Sequence, residues 1–142
     1  MKKFNIVIDT NVIVSALRSK QGASFKLISL IDENLFEFSL SVPLVLEYES
    51  ILRRHLDEKI YSDTDINDFL NFLCKVGHKR KVYFLWRPFL KDQKDDMVLE
   101  LAIESNCEYI ITFNKSDFVG ISKFGKEVLT PSEFIKKLQE KK

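Results

Sequence analysis

The sequence predicts an α/β fold: a central, mainly parallel sheet of four or five strands with helices on both faces, in a single domain over residues 1–142. Three observations predict it. Short apolar runs alternate with longer segments whose apolar residues recur at helical spacing, the signature of strand–helix–strand units. The first such run, Phe4 to Ile8, stops at a carboxylate, as a buried parallel strand does when it delivers its end to a loop. No internal repeat, low-complexity tract or Gly/Ser/Pro linker interrupts the alternation.

The elements follow in order. After the Phe4–Ile8 strand, Asn11–Leu17 and Ala23–Ile31 read as helices with Gly22 between them. Leu35–Leu40 is a second short strand. Pro43 opens a helix to about His55, since proline is tolerated in a first helical turn. Asp63–Val76 carries Phe69, Leu70, Phe72 and Leu73 at helical spacing, and Val82–Leu85 has the form of a third strand. Asp95–Ser105 is a helix, Tyr109–Phe113 a strand and Glu127–Leu129 a short strand. Thr130, Pro131, Ser132 and Glu133 have the form of a capping box with proline at the first helical position, so a last helix starts there.

Composition sets bounds. The chain is long enough to bury a core without disulfide or metal staples, and its twelve Phe supply bulk for one. Lys plus Arg total 22 against 21 for Asp plus Glu, so any nucleic-acid surface must be a local patch. Cys74 and Cys107 lie far apart without CxxC spacing and are expected reduced and buried. The apolar run at Ile6–Ile8 is cut by Asp9, too short for a signal sequence, and nothing approaches the ~20 apolar residues of a membrane span. The expectation is a soluble, cytoplasmic protein with no membrane partner.

Four acids stand where a site would form. In a doubly wound sheet, ligands bind outside the carboxyl ends of the strands. Asp9 terminates the first strand there; alternatively it only caps the following helix, and Asn11 can cap that helix or hydrogen-bond the Asp9 carboxylate. On a helix from residue 95, Val98, Leu99 and Ala102 fall within about 60° of Asp95, so Asp95 points along the apolar stripe toward the sheet. A carboxylate placed so is costly unless paired or bound to a cation. Asp92 and Asp96 are expected to serve the helix N-terminus from the exposed side. Glu47 and Glu49 occupy opposite shoulders of one helix, and periodicity does not choose between them. Asp117 and Asn114 follow the Tyr109–Phe113 strand and can reach over the sheet; an ordinary turn explains them equally. Carboxylates gathered from separate elements need a compensating charge, and hard Mg²⁺ or Mn²⁺ suits an all-oxygen set. His55 and His78 are isolated, so no zinc constellation is present.

These residues also resemble a known family. Ile6-Val7-Ile8-Asp9-Thr10-Asn11-Val12 resembles the opening of PIN-domain proteins, and Leu46-Glu47-Tyr48-Glu49-Ser50-Ile51-Leu52-Arg53-Arg54 their second motif. Asp92-Gln93-Lys94-Asp95-Asp96 running into Leu99-Glu100-Leu101-Ala102 resembles the third, and Tyr109-Ile110-Ile111-Thr112 through Asp117-Phe118 the fourth. Each motif is weak alone; four in order across nearly the whole chain are specific. The chain is similar to the small prokaryotic PIN proteins described as VapC-type toxins of toxin–antitoxin systems.

The resemblance implies a metal-dependent endoribonuclease that hydrolyses RNA phosphodiesters with carboxylate-held Mg²⁺ or Mn²⁺, the toxin of a type II toxin–antitoxin pair. It implies that Asp9, Glu47, Asp95 and Asp117 are the catalytic and metal-binding acids, choosing Glu47 over Glu49. Asn11, Thr112, Asn114, Asp92 and Asp96 would position those acids and water, while Arg53, Arg54 and Lys115 would hold the RNA backbone. It implies an antitoxin partner and a homodimer as well. The sequence departs from the family pattern at Asn114, where many PIN domains carry Asp, with Asp117 as the substitute, and at Gln93, where a proline is frequent.

Two rivals remain. The Asp9–Val12 loop also resembles the nucleophile loop of haloacid-dehalogenase-like phosphatases, but Asn11 stands where those enzymes need a second acid, and an amide cannot protonate a leaving group. The other is a PIN fold that has lost catalysis and serves as a binding or scaffold module.

Overall fold

The β-branched run at residues 6–8 forms the core of β1 (Asn5–Ile8). Ile6, Val7 and Ile8 are all buried, and successive strand residues point to opposite faces, so both faces of the sheet are covered here. A computed structural model describes residues 3–82 and 93–141, with 93–95 and 141 described by backbone alone. In it β1 is the middle of a five-stranded sheet with β2 (Glu37–Leu40), β3 (His78–Lys79), β4 (Tyr109–Ile111) and β5 (Glu127–Leu129), in the order β3-β2-β1-β4-β5. Every pairing is parallel. The α/β reading therefore holds, at the upper strand count.

Helices supply the crossovers. α1 (Thr10–Arg18) and α2 (Ala23–Ser29) join β1 to β2; α3 (Val42–His55) and α4 (Asp63–Val76) join β2 to β3. α5 (Gln93–Ser105) precedes β4, and α6 (Pro131–Lys141) follows β5. The starts are chemically fixed. Ser41 accepts the Leu44 N–H over 3.3 Å to cap α3, and Ser62 with Asp65 closes a capping box on α4. The box expected before α6 is present: Glu133 N–H donates to Thr130 Oγ1 over 3.2 Å, and Thr130 N–H to Glu133 Oε1 over 2.8 Å. Packing confirms the structural role for several Phe. Phe134 of α6 meets Phe36 edge-on at 5.4 Å and Phe4 and Tyr109 at 6.0 Å, pinning α6 to the sheet.

Three expectations need correction, and one strand was not anticipated. His78–Lys79 forms β3; of the strand expected over Val82–Leu85, residues 83–85 lie outside the described residues. β3 forms because Gly77 lets the chain pass against Phe38 and Leu40 immediately after α4, where β2 offers an open edge. The helix expected over Ala23–Ile31 leaves α geometry after Ser29 and tightens into a 3₁₀ turn, closed by Asn34 in the left-handed region. Cys107 is buried, but Cys74 is half-buried, on the rim of α4; both are free thiols. Asp96 is fully buried rather than on an exposed side. The reason is that α5 packs against β1, β2, β4 and α3 together, leaving that side of its first turns no open face.

Candidate active site

The sheet order determines where a site can form. From β1 the chain crosses to β2 and β3 on one side, then returns to lay β4 and β5 on the other. The topological switch point lies between β1 and β4, and the crevice at their carboxyl ends is the expected ligand position. Asp9 follows β1 directly and Thr112 follows β4 directly. Ladder hydrogen bonds continue to these ends: Asp9 N–H donates to Ile111 O and Thr112 N–H to Leu129 O, each over 2.9 Å.

Asp9 is 6% exposed, so its carboxylate needs partners. Oδ1 accepts the Thr10 N–H at 2.8 Å, which caps α1. Oδ2 accepts the Thr112 hydroxyl at 2.7 Å and the Asn11 Nδ2–H at 3.3 Å. Asn11 and Thr112 are themselves tied. Asn11 Nδ2 donates to Thr112 Oγ1 over 3.2 Å, and Asn11 Oδ1 accepts the Phe113 N–H over 3.3 Å. Thr112 Oγ1 also accepts the Asn114 N–H at 3.0 Å. Of the sequence alternatives for this loop, Asp9 caps the helix, and Asn11 holds the Asp9 carboxylate instead of capping α1.

The electrostatics point the same way. Burial pushes the Asp9 carboxyl above its ordinary value. Hydrogen bonds from Thr112 and Thr10 favour the charged form and pull it back, while the negative charges of Asp117 and Glu47 push it up again. Glu47 and Asp117 therefore both act on Asp9 at the carboxyl ends of β1 and β4. Glu47 arrives on α3, half-buried one position before Tyr48. Asp117 lies half-buried in the 3₁₀ turn Lys115–Phe118, its N–H bonded to Asn114 O at 3.0 Å.

Asp95 belongs to the first turn of α5, the helix that packs on β1 and β4; its side chain lies outside the described residues, as does all of Asp92. Asn114 is exposed. Among the described residues no group of three or more His, Cys, Asp or Glu side chains is placed to hold a metal ion. Asp9, Glu47 and Asp117 offer carboxyl oxygens, the donor type hard divalent cations take, and Asp95, whose side chain lies outside the described residues, is the further acid expected here.

The basic residues divide. Arg53 is engaged within the fold, donating to Asp63 at 2.8 Å, Glu49 at 3.1 Å and Asn67 at 2.6 Å. Lys115 pairs with Glu133 at 2.7 Å, joining the β4 loop to α6. Arg54 is exposed, with no ion pair among the described residues. Sequence reasoning missed one functional neighbour, Tyr48. It is buried, and its hydroxyl donates to the Ile8 carbonyl, the last residue of β1 before Asp9. The signal available was the Leu44, Tyr48, Leu52 stripe at helical spacing, all three now buried. It marks a core position but not the hydroxyl's target.

A family model described as the PIN domain matches residues 5–116. No curated protein matches the chain. Among solved structures, a chain of VapBC2 from Rickettsia felis bound to a DNA fragment from their promoter is similar, with a TM-score of 0.59 at 11% identity. The match covers 89% of this chain and 98% of that one. At that identity the likeness is one of fold. Among the described residues no helix is long and apolar enough to cross a membrane.

Proposed function

This chain belongs to the PIN domain family, and from that premise we propose that it is a metal-dependent endoribonuclease, the toxin of a type II toxin–antitoxin pair. The observation that carries the reading is the Asp9 carboxylate: buried at the β1/β4 switch point, held by Thr112, Asn11 and the α1 N-terminus, and acted on by Glu47 and Asp117. Like charges assembled at such depth favour a cation.

Asp9, Glu47, Asp95 and Asp117 would hold Mg²⁺ or Mn²⁺. A hard cation held there would supply Lewis-acid chemistry: positioning of a phosphate, a lowered pKa for a bound water and compensation of developing negative charge. Thr112 and Asn11 fix the Asp9 oxygens so that one geometry is presented. The Asn114 N–H, anchored on Thr112, keeps the β4 loop in register above them. Asp92 and Asp96 flank Asp95 and would set its helix turn. Arg54 is left to meet the RNA backbone, with Arg53 and Lys115 contributing through the pairs they make with Glu49 and Glu133. An antitoxin partner is part of the same reading, supported by the fold shared with a chain of a VapBC complex, and a homodimer is proposed with it.

Asp9→Asn and Asp95→Asn should each abolish Mn²⁺-dependent cleavage of RNA while leaving the circular dichroism spectrum of the folded chain intact. Cleavage that persists in both variants overturns the assignment.

A further inference from the structure

A cleft leads away from the acid site. Its upper part, about 350 Å³, is lined by Asn11, Val14, Ser15 and Arg18 of α1 and by Ile51 and His55 of α3. Its lower part, about 440 Å³, is again lined by Arg18 and His55 and extends to Lys20, Asp57 and Tyr61. The shared residues make the two parts one groove between α1 and α3, beginning at the amide that holds Asp9. From Asn11 to Arg18 the helix rises by about 10 Å.

The chemistry of the groove is that of a strand of nucleic acid. Arg18, Lys20 and His55 are exposed and form no ion pair among the described residues, whereas Arg53 and Lys115 are consumed by carboxylates. One exposed carboxylate, Asp57, stands on the lower wall, with Oδ1 accepting the Lys59 N–H at 2.9 Å. Tyr61 donates its hydroxyl to Leu17 O at 2.7 Å, so the ring is fixed against the groove with its polar atom satisfied. A fixed aromatic ring beside the unpaired cations Arg18 and Lys20 is the arrangement that stacks a base and tracks a phosphate chain. Ser15 and Ser19 add neutral hydrogen-bond donors between the cations.

We propose that the α1/α3 groove carries single-stranded RNA from the acid site toward Lys20, with Arg18, Lys20 and His55 contacting phosphates and Tyr61 stacking a base. The proposal rests on the ribonuclease reading for its choice of RNA, and its test is binding, which does not require cleavage.

The full-length chain is titrated in EDTA with short fluorescent oligouridylate and oligoadenylate over a series of KCl concentrations. Arg18→Ala with Lys20→Ala should weaken both RNAs roughly tenfold and flatten the salt slope by about 1.4, two phosphate contacts at ~0.7 each. Tyr61→Phe should bind like wild type and Tyr61→Ala more weakly, since the ring rather than the hydroxyl is used. Lys136→Ala, an exposed cation on α6, removes one positive charge away from the groove and should leave binding unchanged. A double variant that binds RNA like the Lys136→Ala control overturns the groove, even if wild type cleaves RNA. Wild type that binds RNA through the groove yet cleaves none overturns the ribonuclease reading and leaves the groove standing.

Discussion

Thr112 donates its hydroxyl to Oδ2 of Asp9 over 2.7 Å, joining two strand ends that are 103 residues apart in sequence. The Thr112 hydroxyl oxygen in turn accepts from Asn11 Nδ2 and from the Asn114 backbone N–H. One hydroxyl therefore sets the carboxylate, the α1 entry and the β4 loop together.

Replacing Thr112 with Val keeps the shape and removes the hydroxyl. Three hydrogen bonds are lost at a fully buried position, and Asp9 keeps its charge with fewer donors. The variant should lose about 1–3 kcal/mol in urea unfolding and most of its cleavage activity. Thr112→Ser, which restores the hydroxyl, should recover most of both. Equal stability of the Val variant and wild type would contradict the role given to this hydroxyl.

Tyr48→Phe tests the brace beneath the site. The hydroxyl is buried and donates to Ile8 O, and burial holds its pKa well above the ordinary value, so it remains a donor at any working pH. Losing it strands a buried carbonyl, at a cost of about 1–3 kcal/mol. Because Glu47 adjoins Tyr48 on α3, cleavage should fall more than Mn²⁺-independent stability does. Calorimetric titration of Mn²⁺ on this variant should show weakened binding.

Glu133 supplies the pH dependence. The hydrogen bond from Lys115, then that from Thr130 N–H, holds its carboxyl below the ordinary 4.5. A depressed folded pKa means stability that is present above 4.5 and lost as pH falls through the lowered value. Glu133→Gln should therefore be less stable than wild type at neutral pH, with the gap closing below 4.5. High salt should narrow it too, because both side chains are 45% exposed and screened. Thermal melts across pH and KCl concentration measure this; a gap that persists at pH below the lowered value would contradict it.

Gly77→Ala probes the turn from α4 into β3. A Cβ there would stand 2.7 Å from Phe38 Cε2, 2.8 Å from Leu40 Cδ1 and 2.9 Å from Leu73 O. The backbone at Gly77 is ordinary for an L residue, so the penalty is steric. Two of those atoms are buried ring and methyl carbons and the third is backbone, and overpacking of this kind costs about 1–3 kcal/mol. The urea midpoint should drop, with β3 amides losing protection from hydrogen exchange.

Much of this was legible in the sequence because it is local. The Ile6–Ile8 run bounded by Asp9 specified a buried strand with an acid at its end, and the Thr130–Glu133 box specified the start of α6 to the residue. The bounds of α4 were readable from helical spacing, and the Ser62 cap that fixes its start came from the folded chain. Elements whose extent depends on a neighbour were read less well. A two-residue strand such as His78–Lys79 has no periodicity of its own and exists because β2 has a free edge beside Gly77.

The acids divide in the same way. The sequence alone determined that Asp9 closes a parallel strand, since the apolar run and the carboxylate are contiguous. It could not choose between Glu47 and Glu49, because both stand at the shoulders of one helix; the charge of Glu47, with that of Asp117, is the one that acts on Asp9 in the folded chain. Asp96 looked solvent-facing from its own helix, yet α5 is covered by β1, β2, β4 and α3, so burial there is a property of the assembly. Likewise Arg53 and Lys115 read as free cations until folding placed Asp63 and Glu133 beside them, while Arg18, Lys20 and His55 came to line one groove. Short-range order is encoded in neighbouring residues. Which charges meet, and which stay unpaired, depends on long-range contacts that only the tertiary structure brings about.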